Sequence, residues 1–362
     1  MILPIHEKWA RLLVHYCMQV KPGDNVSLNI ETPAEAMARA LYREVLRAEG
    51  NPILHLRYPE KMLDTLELAS DIYLDSEPSL ELYEIKQMDA WLNMRAPLHT
   101  KLLQTADKSR VARLLKKARA VSDIRINTTR WVTTLYPTHA LAQDADMNLD
   151  DYEKFVYSAM YLYDDDPVAK WQEIHTFQEK LIERLKEADE IHLKADGTDL
   201  TLRTKNRIWK NSAGQRNMPS GEVFTGPLED SANGIITYAI PSSVNGTEVE
   251  NIRLVFKDGK VVEASAEKGN DLLQAQLDSD DGARYLGEIG IGTNYNIQQA
   301  TKQILYDEKI GGTVHLAVGQ SYTDTGGQNK SAIHWDMICD LRDGGAIYLD
   351  GELFQENGEF KL

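Results

Sequence analysis

VKPGDNVSLNIETPAEAMARALYREVLRAEGNPILHLRY, residues 20–58, is the stretch whose reading decides the fold. Lys21-Pro22-Gly23-Asp24 is a turn signal, and residues 25–30 (NVSLNI) then alternate apolar with polar as a short strand does. Thr32 before Pro33 predicts an N-cap and a first helical position, with the helix running to Gly50. Residues 52–58 (PILHLRY) read as the next strand. Upstream, Trp9, Leu12, Leu13, Tyr16 and Cys17 recur at three- and four-residue spacing, the mark of a helix. Helix-strand-helix-strand order predicts an α/β domain with a mainly parallel sheet under helices, and residues 89–94 and 120–127 read as further strands of it.

Farther along, residues 147–190 read as mostly helical, ending in 177–188 (FQEKLIERLKEA). The character then changes. Residues 190–194, 199–204 and 252–256 alternate apolar with polar, Asp258-Gly259 is a strong hairpin turn, and Asp350-Gly351 repeats that signal. A second, strand-rich α+β domain with antiparallel pairing is expected. At 362 residues the chain is too long for one ordinary core. The expected division is residues 1–187 for the N-terminal α/β domain and 188–362 for the C-terminal strand-rich domain, to which its metal-capable residues would give a metal-binding, catalytic role.

The net charge of −16 and the lack of any Lys/Arg patch exclude nucleic-acid binding. The most basic run, residues 108–119 (KSRVARLLKKAR), spaces Val111, Leu114 and Leu115 as an amphipathic helix with a solvated face. Cys17 and Cys339 lie in apolar patterns and read as buried free thiols of a reducing compartment. With Glu7, Lys8 and Arg11 in the first turns, no signal peptide is expected at the start, and no window approaches the roughly 18 apolar residues that span a bilayer. A cytoplasmic protein without a membrane partner is expected.

Six metal-capable side chains fall among glycines and short strands of the last third: Glu222, Glu288, Glu308, His315, His334 and Asp336. His334-Trp335-Asp336 is the sharpest element, because residues two apart on a strand face the same way and offer an imidazole beside a carboxylate. Glu222 (in MPSGEVFTGP) and Glu288 (in GARYLGEIGIG) are flanked by glycines and apolar residues, where an unpaired buried carboxylate would be costly. His315 sits in a strand pattern (GTVHLAVG), where a lone histidine is more often a satisfied core residue. Glu308 taken alone reads as a surface charge at a helix end, and Tyr322 as a packed aromatic. His6, His15, His55, His99, His139, His175 and His192 have no partner at ligand spacing. Four carboxylates with two imidazoles and no thiolate suit two divalent ions sharing carboxylates better than a closed structural zinc site.

MPSGEVFTGP, GARYLGE, VHLAVGQSY and NKSAIHWD resemble the signature blocks of the aminopeptidase T family, the thermophilic-type leucyl aminopeptidases with two metals. RWVTTLYPTHALA (130–142), DGTDLTL (196–202) and VKPGDNVSLNI extend the resemblance over nearly the whole chain. It implies metal ligands at Glu222, Glu288, His315, His334 and Asp336. Glu308 matches a further carboxylate, although the spacing to His315 is two residues longer than the family's. Tyr322 falls where the family places a tyrosine at the metal site. The segments between Glu288 and Glu308 and between Tyr322 and His334 are shorter than the family's, which puts specificity in question rather than catalysis.

The activity implied is release of N-terminal residues from short peptides by a metal-activated water. Glu288 would be the bridging carboxylate and a catalytic residue, with Tyr322 as ligand or oxyanion donor. Glu308 and Glu222 share the roles of ligand and proton carrier. The implied cofactors are two divalent ions per chain (Zn, Co or Mn), and the implied assembly is a homodimer. Two rivals differ. A metal-dependent amidase or esterase on non-peptide substrates would not require a free α-amine. A nucleotide-binding α/β module without hydrolase activity would show G-x-G-x-x-G after the first strand, and none follows it.

Overall fold

The computed structural model describes residues 2–244 and 246–361. They form two compact units, Met1–Val168 with Gly214–Pro219, and Ala169–Ala213 with Ser220–Leu362. The division falls inside the helix Pro167–Leu185 rather than between residues 187 and 188. Leu181 and Leu185 of that helix are fully buried in the apolar core of the second unit, so the helix belongs with the strands that follow it.

In the first unit, five parallel strands run in the order Asn51–Arg57, Asn25–Glu31, Ala90–Arg95, Arg130–Leu135 and Asn217–Met218. Asn25–Glu31 is buried on both faces, as a central parallel strand must be. The polar Ser27 and Asn29 in it are therefore also buried, and the Asn29 amide donates to Ser27 Oγ at 2.9 Å. A 3-10 turn at Thr32–Ala34 leads into the helix Glu35–Arg47, so the α-helix starts later than Thr32-Pro33 suggests. Residues 120–127 are not a strand. They complete the helix Lys108–Thr128, capped by Asp107, whose carboxylate accepts from the amides of Ser109 and Arg110 at 2.8 and 3.2 Å. Within 120–127 the half-buried positions are Val121, Ser122, Ile124 and Arg125, a helical period, and the strand begins only at Arg130.

The second unit holds two large antiparallel sheets and a two-stranded antiparallel ribbon, Ser242–Val244 with Thr247–Val249. Eight strands run in the order Lys260–Ser265, Ile252–Lys257, Asn233–Tyr238, Thr198–Arg203, Glu190–Ala195, Ala346–Leu349, Glu352–Glu356 and Glu359–Phe360. Asp258 and Gly259, with φ of +48° and +80°, and Asp350 and Gly351, at +48° and +87°, make the two-residue turns that their sequence announces. Five strands form the other sheet, in the order His334–Asp340, Thr313–Gly319, Leu286–Gly292, Glu222–Thr225 and Lys210–Ser212. A single core draws Leu193, Leu200, Ile236 and Leu254 from the first of these sheets and Ile289, Leu316 and Met337 from the second. Cys17 and Cys339 are buried free thiols. No helix among the described residues is long and apolar enough to cross a membrane.

Candidate metal centre

Strand register gathers the candidates. Glu222 lies opposite Gly292, His315 opposite Gly290, Glu288 opposite Ala317, Ala317 opposite Asp336, and His334 opposite Gly319. Successive side chains on a strand alternate faces, so Glu222, Glu288, His315, His334 and Asp336 share one face of the five-stranded sheet. Ile289, Ile291, Val314, Leu316, Trp335 and Met337 fill the other and pack into the core. Gly290, Gly292, Ala317 and Gly319 stand among them on that face and leave room, while Phe224 and Ile338 border the site on it. A Cβ on Gly290 would sit 2.2 Å from Cε1 and Nε2 of His315, so the imidazole lies directly over that glycine. Glu308 arrives from outside the sheet, at the end of the short helix Ile304–Asp307.

The ligand-capable atoms form interlocking triads: Glu222, Glu288 and His315; Glu288, His334 and Asp336; and Glu308, His315 and Asp336. His315 Nε2 is 3.4 Å from both Glu222 Oε2 and Glu288 Oε1. His334 Nε2 is 3.3 Å from Glu288 Oε2 and 3.4 Å from Asp336 Oδ2. These separations are long for hydrogen bonds. They match the edge of a tetrahedron, about 3.4 Å, around an ion with bonds of about 2.1 Å. Glu222 Oε2 and Asp336 Oδ1 are buried and accept no hydrogen bond, a costly state that a cation would relieve. His334 Nδ1 meets the Gln320 carbonyl at 2.7 Å, so that nitrogen carries hydrogen and donates, leaving Nε2 turned to the carboxylates. The residues present thus fit divalent metal, with Glu288 common to two of the triads.

Without ions the cluster is strongly polarised. Burial alone would lower both imidazoles, but Glu288 with Glu222 raises His315 to about 9, and Asp336 with Glu288 raises His334 to about 11. Burial opposes ionisation of Glu288 and Asp336, yet their histidine partners hold both below the usual carboxylate range. Burial raises Glu308; Lys309 opposes, Glu222 and Asp336 add, and the carboxyl settles at about 8.

Lys309 is the buried residue of the cluster that sequence reading misses. It is fully buried, its ammonium 2.8 Å from Glu222 Oε1 and in contact with Glu308 Oε1. Burial favours its neutral form, but those two carboxylates outweigh that and keep it charged. Its only local signal is a pair of apolar flanks, Tyr306 and Ile310, both fully buried. Tyr322 stands at the rim, 49% exposed, its ring 5.2 Å from that of His334 and 5.8 Å from that of Phe224. Partial burial and the charges of Glu288, Asp336, Glu308 and Glu222 push its hydroxyl above the ordinary value. Beside His334 and Asp336 a cavity of about 400 Å³ opens, bordered by Ser242, Gln276, Lys302 and Ile304. Elsewhere His15, His55 and His192 pair with Glu44, Glu84 and Asp199, and no histidine outside the cluster joins a metal-capable group among the described residues.

A sequence profile of the thermophilic metalloprotease (M29) family matches residues 5–360. The chain belongs to that family. An M29 metalloprotease is a hydrolase that requires divalent metal, which agrees with the donor set just described. Among curated relatives, aminopeptidase 2 of Geobacillus stearothermophilus is 26% identical, covering 95% of this chain and 93% of its own. Aminopeptidase T of Thermus thermophilus is 27% identical over 95% of each chain. The solved structure of wild-type AmpT from Thermus thermophilus superposes with a TM-score of 0.85 at 23% identity, covering 99% of both chains, which shows the same fold.

Proposed function

We propose that this M29 protein is a metallo-aminopeptidase that releases N-terminal residues from short peptides at a two-ion centre. One ion would be held by Glu222, Glu288 and His315, the other by Glu288, His334 and Asp336, with Glu308 beside them. The observation that carries this reading is the pair of triads sharing Glu288, with donor separations of 3.3–3.4 Å and orphaned carboxylate oxygens. Divalent ions bound there supply Lewis acidity and a water of lowered pKa. Their donor set of carboxylates and imidazoles accepts Zn, Co or Mn.

The chain's own residues account for the rest. Glu308, beside the triads, can in its ionised form take a proton from the attacking water and return it to the leaving amine. Tyr322 keeps its hydroxyl protonated and can donate to negative charge developing on the carbonyl oxygen. Carboxylates at the site favour a substrate with a free, positively charged α-amine. Glu222 and Glu288 are each 5% exposed, so an N-terminus must be unstructured to reach them. That recess supports short peptides as substrates, the cavity beside His334 being large enough for a side chain. A homodimer and a cytoplasmic location complete the proposal. Hydrolysis of leucyl p-nitroanilide and of its N-acetylated form tests it: the free amine should be cleaved at least a hundredfold faster. Equal rates would favour the amidase or esterase reading.

A further inference from the structure

Both partners of Lys309 belong to the candidate metal centre. Its ammonium takes Glu222 Oε1 and Glu308 Oε1, while Glu222 Oε2 faces His315. The triad Glu288, His334 and Asp336 contains neither partner. A fixed positive charge therefore shares Glu222 directly with one ion position, and reaches the other only through Glu308, whose carboxylate lies beside Asp336. Charge counting points the same way. Four carboxylates, one ammonium and one divalent ion sum to −1, and a second ion carries the buried cluster to +1. Without the ammonium the same step would run from −2 to neutrality. Like charges held in a dry site repel far more than in water.

Resting on the two-ion reading above, we propose that Lys309 makes the ion positions unequal. The ion at Glu288, His334 and Asp336 is the tight, resident one. The ion at Glu222, Glu288 and His315 is weak and exchangeable, so that Lys309 sets how much metal the protein needs to be fully loaded. This is a property of the buried lysine and is independent of which substrate the centre serves.

The test is stepwise titration of metal-stripped protein with Co2+, followed by calorimetry and by the visible absorption of the bound ion. Wild type should show two steps whose dissociation constants differ at least tenfold. Lys309→Met should tighten the weak step at least tenfold and shift the tight step less than threefold, whereas Lys309→Arg, which keeps the charge, should preserve the gap. Lys309→Gln offers uncharged donors to both carboxylates and serves the same purpose should the methionine variant fail to fold. Asp336→Asn should remove the tight step. Two steps of equal affinity in wild type, or an unchanged gap in a folded uncharged variant, would overturn the inference and leave the two-ion centre standing. Stripped wild type that takes up no Co2+ would overturn both.

Discussion

His334 and Asp336 are the residues where the account is most exposed, because a His–Asp pair can also be a plain hydrogen bond. His334→Ala and Asp336→Ala should each lose bound metal and at least a hundredfold in kcat/KM, with melting temperatures within a few degrees of the parent. A purely structural pair would reverse that pattern, lowering stability while activity per folded molecule survived. The imidazoles also set a pH dependence. Raised above the ordinary 6.5, His315 and His334 stabilise the metal-free fold fully below that pH, and the contribution is lost as pH rises through about 9 and about 11. Metal requires neutral imidazole, so loading near pH 7 must expel protons. Affinity should therefore rise with pH, by up to tenfold per unit for each proton released. Calorimetry in buffers of different ionisation enthalpy counts those protons, and a count of zero would contradict the assigned ligands. Strand spacing and glycine-rich surroundings are local signals, so Glu222, Glu288, His315, His334 and Asp336 stand out in the sequence as candidates, and the structure brings them together with Glu308. Lys309 does not: Asp307-Glu308-Lys309 looks like a solvated charge run, and its burial is decided by the distant Glu222.

At the scale of elements, the site depends on strands that present small residues between the functional ones. Gly290→Ala places a methyl group against the His315 ring on a strand bonded on both sides, so the imidazole must move. Activity should fall at least tenfold with a modest loss of melting temperature. Gly351→Ala is the control. It has open space around it but a φ of +87°, so it should cost about 1 kcal/mol of stability and leave kcat/KM unchanged. Equal loss of activity in both would show that Gly290 acts only through stability. The turns at Asp258-Gly259 and Asp350-Gly351 were readable because their positive φ values demand those residues. Residues 120–127 read as a strand because Ala120, Ile124 and Ile126 keep a two-residue alternation when detached from the Asp107 cap thirteen residues before Ala120. The α/β and strand-rich halves came through, since periodicity over whole segments averages out such local ambiguity.

For the whole molecule, the helix Pro167–Leu185 shows why a boundary is hard to read from sequence: which unit a helix joins depends on where Leu181 and Leu185 are buried. The return of Gly214–Pro219 to the first unit leaves no compositional trace. The proposed assembly is checked by light scattering, which should report a dimer at micromolar concentration. The proposed substrate range predicts that folded proteins keep their N-termini, because drawing a folded chain into a recessed site costs its unfolding free energy, about 5–15 kcal/mol. The central claim, that divalent ions among Glu222, Glu288, Glu308, His315, His334 and Asp336 drive peptide hydrolysis, is tested most directly by chelation and reloading. Treatment with EDTA or phenanthroline to less than a tenth of an ion per chain should abolish hydrolysis of leucyl p-nitroanilide, and added Zn2+, Co2+ or Mn2+ should restore it. Full activity in protein shown by elemental analysis to be metal-free would contradict the account.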